Sequence, residues 1–239
     1  MYSLAILAGG LASRLGEVTR KIPKSLIEIA GKPFIFHQLE MLSSQGIKNV
    51  VLCLGHLGDM IESRVGNGTN FNLNIKYSYD GQKQLGTGGS LKKALPFLGE
   101  NFFVLYGDSF LPISFKKVEK AYNANSVDKL GLMTIIYNEN LWDKSNVLFH
   151  RNNLIKYNKK NIDSEMKYID YGLSILNKRV FDFSPCDDTF DLSDTLSLLA
   201  ERKQLIGFEV YDRFYEIGSK AGIQETEEFL INFKLGQIL

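Results

Sequence analysis

The chain predicts an α/β fold: one domain on a mainly parallel, mixed, Rossmann-like sheet flanked by helices, with a small antiparallel section. Three observations carry this expectation. Buried-strand patterns alternate with helix-periodic ones through the first half, the rhythm of parallel β-α-β units. Past about residue 112 the rhythm changes and strand-like segments dominate. No repeat, low-complexity tract or long linker divides the 239 residues, so one unit is expected over 1–239, with a first part over about 1–112 and a second over about 113–239.

In order, Ser3-Leu4-Ala5-Ile6-Leu7 is a short apolar strand running straight into Ala8-Gly9-Gly10. Residues 33–42 place apolar side chains at helical spacing, and Gly46 ends that helix. Residues 47–54 form an apolar strand, 57–65 a short helix, and 73–79 an alternating strand. Gly86-Thr87-Gly88-Gly89-Ser90 then opens a helix over 91–95. Residues 102–106 are a very apolar strand ending in Gly107-Asp108-Ser109. Beyond it, 130–137, 147–157 and 168–176 read as strands, and a last helix starts near Ser219 with Ile223, Thr226, Phe229 and Leu230 along it.

Composition narrows the function classes. Hydrophobic residues make up 44% and charged residues 23%, an ordinary soluble balance. The net charge is +1, from 28 basic and 27 acidic residues, so a general nucleic-acid surface is disfavoured. Two cysteines, Cys53 in an apolar strand and Cys186 in a loop, cannot build a disulfide framework or a zinc site unaided. No apolar run approaches the ~18 residues of a membrane span, and no charged segment precedes the N-terminal apolar stretch. A cytoplasmic, membrane-free protein is the default expectation.

Chemistry concentrates first at Ala8-Gly9-Gly10-Leu11-Ala12-Ser13-Arg14-Leu15-Gly16, with Lys24 ten residues beyond Arg14. A buried strand feeding a glycine turn gathers backbone N–H groups, because glycine reaches positive φ without steric cost. Such turns bind anions, and two cations would complete a polyphosphate clamp. Alone, the Gly-Gly pair also fits an ordinary strand-to-loop connection. The Walker pattern is excluded, since no Gly-Lys pair follows. The dinucleotide fingerprint is excluded too, since the glycines are adjacent. In open α/β sheets ligands collect at strand carboxyl ends, and Asp108 sits at one.

The remaining pattern, G-G-x-x-[ST]-R-L followed by P-K, resembles the sugar-1-phosphate nucleotidyltransferases, with Ala12-Ser13 where that family usually has Gly-Thr and Ser25 where it has proline. Four further stretches carry the resemblance: Gln84-Leu85-Gly86-Thr87-Gly88-Gly89, Gly107-Asp108, Lys160 with Gly172 twelve residues on, and Phe214-Tyr215-Glu216-Ile217-Gly218-Ser219. The short heptose- and mannose-1-phosphate guanylyltransferases are the most similar members. The resemblance implies transfer of a nucleoside monophosphate from a nucleoside triphosphate to a sugar 1-phosphate, feeding polysaccharide or glycoconjugate synthesis. It implies a nucleotide-binding part over 1–112, a sugar-binding part over 113–239, a homo-oligomer, and no fused β-helix domain. Leu7, Ala8, Gly9, Gly10, Gln84, Gly86, Thr87 and Asp108 would bind the nucleotide. Glycine in the 86–89 run would let backbone approach the base.

By the same resemblance, Mg²⁺ would be held by Asp108 and by Glu216, which replaces the usual aspartate. Arg14 would serve the triphosphate, Lys24 the α-phosphate, and Lys160 the acceptor phosphate, with Lys159 standing where the family has glutamate. Gly107, Asp170, Tyr171 and Gly172 would line the sugar site, with Glu165 and Asn146 as further hydroxyl partners. His37, His56 and His150 have no metal-ligand spacing and are expected to be structural, and Trp142 reads as a packed loop anchor. Two other readings stay open: a cytidylyltransferase acting on phosphocholine or another small phosphorylated acceptor, and a non-catalytic regulatory subunit.

Overall fold

A computed structural model describes residues 1–10, 21–125, 127–151, 153–185 and 187–233. Its centre is a nine-stranded mixed sheet. The parallel half runs β5 (Asn74–Tyr79), β4 (Asn49–Leu54), β1 (Ser3–Leu7), β6 (Asn101–Tyr106). Next to β6 lies antiparallel β11 (Tyr168–Asn177), which also pairs with β8 (Gly131–Tyr137) and, at its start, with β9 (Val147–His150). β9 forms a hairpin with β10 (Asn153–Tyr157), and β8 pairs in parallel with β12 (Leu205–Glu209). Two short pairs stand apart: β2 (Glu28–Ile29) with β3 (Lys32–Pro33), and β7 (Ser109–Phe110) with β13 (Tyr215–Glu216).

The strands are apolar on both faces because both faces are covered. Side chains alternate across a strand. Leu4, Ile6, Leu52, Leu54, Phe103 and Leu105 enter one core, with residues of α1 (Phe34–Ser44), α2 (Gly58–Val65) and α4 (Phe115–Asn125). Ala5, Val51, Cys53, Phe102 and Val104 enter the other, with residues of α3 (Gly86–Ala94) and α5 (Leu192–Glu201). That double cover is what a parallel sheet requires. The last helix, α6 (Lys220–Asn232), is capped by Ser219, whose hydroxyl accepts the Gly222 N–H at 3.0 Å.

The expected α/β class with a mainly parallel mixed sheet is therefore observed. Four details differ from the sequence reading. Residues 147–157 are two strands, with Arg151 at φ +49° turning the hairpin. α3 starts at Gly86, since its first amides find partners on a distant segment: Gly88 N donates to the Phe190 carbonyl at 3.0 Å. α4 and α5 are additional helices. Their buried Phe115, Val118 and Tyr122, and Leu192, Leu196 and Leu199, follow helical spacing. Finally, β12 is an additional strand that the sequence reading did not name, and it joins β8 in parallel.

Candidate active site

The strand order β5-β4-β1-β6 reverses direction of growth between β1 and β6, and ligand crevices open outside the carboxyl ends at such a switch point. Ala8 N donates to the Cys53 carbonyl at 2.9 Å, and Gly107 N to the Leu7 carbonyl at 3.0 Å, so three strand ends meet. Their closeness requires glycine. A Cβ on Gly9 would lie 2.9 Å from Gly55 N, and one on Gly107 would lie 2.9 Å from the Leu7 carbonyl oxygen. The cleft outside these ends encloses about 440 Å³ and is bordered by Leu7–Gly10, Gln84, Gly86, Thr87, Lys24, Asp108 and Glu216.

Asp80, at the end of β5, organises the far wall of this cleft. Its buried carboxylate accepts the Ser90 hydroxyl at 2.5 Å and the Leu85 N–H at 3.2 Å, while Lys93 Nζ donates to its backbone carbonyl at 3.1 Å. Sequence reading missed it. The signal was an acid directly after a strand and just ahead of a glycine-rich helix start. The run 86–89 also has a second reason for its glycines. A Cβ on Gly88 would lie 2.2 Å from the Phe190 ring, and one on Gly89 would lie 2.0 Å from the Asp188 carbonyl oxygen. Packing against 188–190 demands glycine at both positions, before any ligand is considered.

A second cavity of about 590 Å³ lies over the antiparallel region. A bulge opens it. Against β8, Asp170 faces Ile135 and Ser174 faces Met133, so β11 spends four steps where β8 spends two, and Gly172 takes φ +104° at the bend. The bulge brings Asp170, Tyr171 and Gly172 to the cavity wall. Asn146 Oδ1 accepts the Asp170 N–H at 3.0 Å and also borders the cavity. Opposite stands an aromatic cluster in which Phe214 meets Trp142 at 5.5 Å and Tyr171 at 5.9 Å between ring centres. Trp142 is thus the packed anchor expected, on a turn whose Asn138 Nδ2 donates to the Asp143 carbonyl at 2.7 Å and Ser145 Oγ at 2.9 Å. The Tyr171 hydroxyl is buried in this wall without a hydrogen-bond partner among the described residues.

Lys159 borders this cavity together with Lys144 and Arg213, and the expected Lys160 does not. Asn158 Oδ1 accepts both the Lys160 N–H at 2.9 Å and the Asn161 N–H at 2.8 Å, fixing a tight turn in which consecutive side chains diverge. Lys160 therefore points outward, 67% exposed, and ion-pairs with Asp194 at 2.6 Å. Lys159 borders the cavity, 3.7 Å from Asp170 Oδ2 and 5.1 Å above the Tyr106 ring. Burial acts to lower its pKa, but the charges of Tyr106, Asp170 and Asp191 outweigh that and hold it above the usual lysine range. Burial likewise pushes the Tyr106 phenol up to about 12.

Asp170 was expected to meet a sugar hydroxyl. Its carboxylate, only 4% exposed, is instead engaged by the protein: the Gly172 N–H at 3.0 Å, the Tyr157 hydroxyl at 3.2 Å, and Lys159. Glu165 is exposed and borders neither cavity.

Both cavities share one wall: Tyr106, Asp108 and Glu216. Lys24 Nζ donates to Asp108 Oδ2 at 2.7 Å, and the Ser109 hydroxyl donates to Oδ1 at 3.2 Å. Glu216 arrives from over 100 residues away in sequence because β13 pairs with β7, setting Glu216 opposite Ser109, and Ile217 N donates to the Asp108 carbonyl at 3.0 Å. Among the described residues no three His, Cys, Asp or Glu side chains converge as a metal cluster. Arg14 lies outside the described residues.

None of the three histidines borders either cavity. His37 is buried, its Nε2 2.7 Å from the Ile29 carbonyl oxygen. His56 and His150 are exposed. Cys53 is buried beside the first cavity, and burial, then the Asp80 charge, push its thiol up to about 12, so no thiolate forms near neutral pH. Among the described residues no helix is long and apolar enough to cross a membrane.

At the switch point, a crevice with a glycine-tight strand end is joined to a second cavity through a shared wall whose Asp108 pairs with Lys24. The nucleotidyl transferase pattern matches residues 4–184, and the chain belongs to that family. It is 31% identical over 231 residues to the D-glycero-alpha-D-manno-heptose 1-phosphate guanylyltransferase of Aneurinibacillus thermoaerophilus, covering 95% of this chain and 98% of that one. It is 31% identical over 222 residues, 89% of this chain, to the mannose-1-phosphate guanyltransferase of Saccharomyces cerevisiae. The chain spans 60% of the length of that protein and of other fungal mannose-1-phosphate guanyltransferases that it matches. Among solved structures, HddC from Yersinia pseudotuberculosis complexed with GMP-PN aligns with a TM-score of 0.78 at 26% identity, over 95% of this chain and 99% of that one. A Bacillus anthracis chain in complex with sucrose shares the fold, with a TM-score of 0.86 at 19% identity over 97% and 96% of the two chains.

Proposed function

We propose that this protein transfers a nucleoside monophosphate from a nucleoside triphosphate to a sugar 1-phosphate, releasing pyrophosphate and forming a nucleoside diphosphate sugar. The observation that carries the reading is the single wall, Tyr106, Asp108 and Glu216, that two substrate-sized cavities share. GTP with heptose 1-phosphate or mannose 1-phosphate is the pair favoured, because the relatives bear those names and HddC was solved with GMP-PN. The cytoplasm, where nucleoside triphosphates are made, is the proposed location, and a homo-oligomer the proposed assembly.

In this reading residues 1–112 bind the nucleotide and 113–239 the acceptor. The triphosphate lies along Leu7–Gly10 with Gln84, Gly86 and Thr87 beside the base end, and Arg14 serves the phosphates. An acceptor phosphate oxygen attacks the α-phosphorus; the bond from it to the bridging oxygen breaks, and pyrophosphate leaves with that electron pair. The nucleophile is already anionic, so the protein need supply no general base. Its task is alignment and charge neutralisation. Lys24 exchanges its Asp108 partner for α-phosphate oxygens, and Lys159, on the acceptor side of Tyr106, meets the acceptor phosphate. Asp108 and Glu216 both border the two cavities, and a pair of carboxylates suits a divalent cation that takes its other ligands from phosphates and water. Asp108 and Glu216 would hold Mg²⁺, which supplies charge neutralisation at the phosphates.

The test is pyrophosphate release with Mg²⁺, crossing GTP, CTP, UTP, dTTP and ATP against sugar 1-phosphates and phosphocholine. Turnover with one guanine and sugar pair is expected. Turnover confined to phosphocholine, or none with any pair while nucleotide binds, would overturn the reading.

A further inference from the structure

Between the two cavities runs a segment that belongs to neither. At one end it is locked to the 84–89 loop. Phe190 N donates to the Leu85 carbonyl at 3.0 Å, the Phe190 carbonyl accepts Gly88 N at 3.0 Å, and Leu192 N donates to Thr87 Oγ1 at 2.9 Å. The glycines leave no slack, because even a methyl group at Gly88 or Gly89 would collide with Phe190 or Asp188. In the middle, Asp191 caps α5, its Oδ1 accepting Ser193 N at 2.7 Å. Burial acts to raise the Asp191 pKa, yet the Ser193 amide and hydroxyl, the Lys159 charge and the Thr87 hydroxyl outweigh it, so the carboxyl titrates below its usual range. At the other end, Asp194 Oδ1 accepts Lys160 Nζ at 2.6 Å. Lys160 shares with Lys159 the tight turn that Asn158 closes.

We propose that residues 188–194 form a strap coupling the nucleotide loop to the acceptor lysine, with the Lys160–Asp194 pair as its terminal positioning contact. This rests on reading 84–89 as the nucleotide loop and Lys159 as the acceptor cation. The contacts are contiguous and Asp191 caps the first turn of α5, so ordering 84–89 orders 190–194, and through Lys160 it orders 158–161. Lys160, which sequence reading placed on the acceptor phosphate, then acts one step removed, by holding its neighbour in place. An exposed ion pair of this kind carries a bias of roughly twofold to fivefold. That suits a device that tunes affinity and performs no chemistry.

Hydrogen exchange read by mass spectrometry on the full chain tests this, with and without each of the five nucleoside triphosphates. A bound nucleotide is expected to slow exchange at 84–94, at 188–194 and at 158–161. In Asp194→Asn the slowing at 158–161 should shrink while that at 84–94 persists, and the acceptor KM should rise roughly twofold to fivefold with kcat and the nucleotide KM unchanged. The exchanged pair Lys160→Asp with Asp194→Lys should restore both. A direct ligand role for Lys160 predicts the opposite: Asp194→Asn silent and the exchanged pair dead, which would overturn the strap. Slowing at 84–94 that never reaches 158–161 in the wild type would overturn it equally. No slowing at 84–94 with any triphosphate would instead sink the nucleotide reading, and the strap with it.

Discussion

The two cavities are built from different materials. The first cavity, the proposed nucleotide side, is made of backbone: strand ends at Leu7–Gly9, Gly55 and Gly107 approach so closely that an added Cβ would overlap a neighbour. The second, the proposed acceptor side, is made of side chains gathered from distant stretches, with Trp142, Lys159, Asp170 and Phe214 each fixed by partners elsewhere. One side is defined by what must be absent and the other by what must be present. Adding atoms should damage the first; removing polar atoms should damage the second.

The wall between them should be the most sensitive place, because it belongs to both. Lys24→Ala removes the ammonium that holds Asp108 at 2.7 Å. A fall of about 10²–10³-fold in kcat is expected, the cost of deleting one group that stabilises developing charge. Initial-rate kinetics check it. An effect confined to the KM of one substrate would make Lys24 a ground-state binding contact and remove it from the transfer step.

Next comes the acceptor side, where two adjacent lysines give an internal control. Lys159→Met deletes the charge beside Asp170 and Tyr106, so the acceptor KM should rise about tenfold or more, the scale of a charge-assisted hydrogen bond. The nucleotide KM should stay put. Lys160→Met, on the outward side of the same turn, should change the acceptor KM by no more than about fivefold. If the two variants rank the other way, the side-chain directions assigned to this turn are wrong.

Those lysines also show what a sequence can and cannot say. The first cavity was legible because its parts are contiguous: Ala8-Gly9-Gly10 and Gly86-Thr87-Gly88-Gly89 are local strings that border or pack beside it through their backbone. Asp108, which follows an apolar strand, and Glu216, inside the Phe214–Ser219 string, were readable as candidates for a similar reason. On the acceptor side the decisive facts are directions. Which of Lys159 and Lys160 turns inward depends on the Asn158 turn, and whether Asp170 meets a ligand depends on Tyr157 and Lys159. Spacing alone holds neither. The bulge at Gly172 is likewise a register event between β11 and β8. Helices α4 and α5 are a different case, since their apolar spacing was present in the chain and simply went unread.

Gly89→Ala tests the claim that absence builds the nucleotide side. Its Cβ would lie 2.0 Å from the Asp188 carbonyl oxygen, a backbone atom that cannot swing aside. Overpacking of this sort costs roughly 1–3 kcal/mol. Thermal unfolding should register about 2–4 °C per kcal/mol for a chain of this size. The nucleotide KM should rise as well, because Gly89 sits in the first turn of α3. A wild-type melting temperature would mean that the strap yields, and that the glycine run answers to ligand approach alone.

The smallest effect separates the halves by pH. Among the described groups that the fold clearly shifts, only a histidine has its ordinary pKa near neutrality: His37, on α1 in the nucleotide half. Burial pulls its pKa below the usual value near 6.5, more than the Ile29 carbonyl raises it. Between the folded pKa and about 6.5 the unfolded chain then binds more protons than the folded one, so stability rises with pH in that window. The contribution is complete above about 6.5 and is lost as pH falls through the folded value. Lys159, held above the lysine range, and Asp191, held below the carboxylate range, add no slope there. Urea unfolding at about pH 7.5 and about pH 5.5 should therefore show an acid loss that His37→Gln reduces, and hydrogen exchange should place that loss first around α1 and β2. Equal acid sensitivity in the variant would remove His37 as its source and leave the two halves indistinguishable by pH.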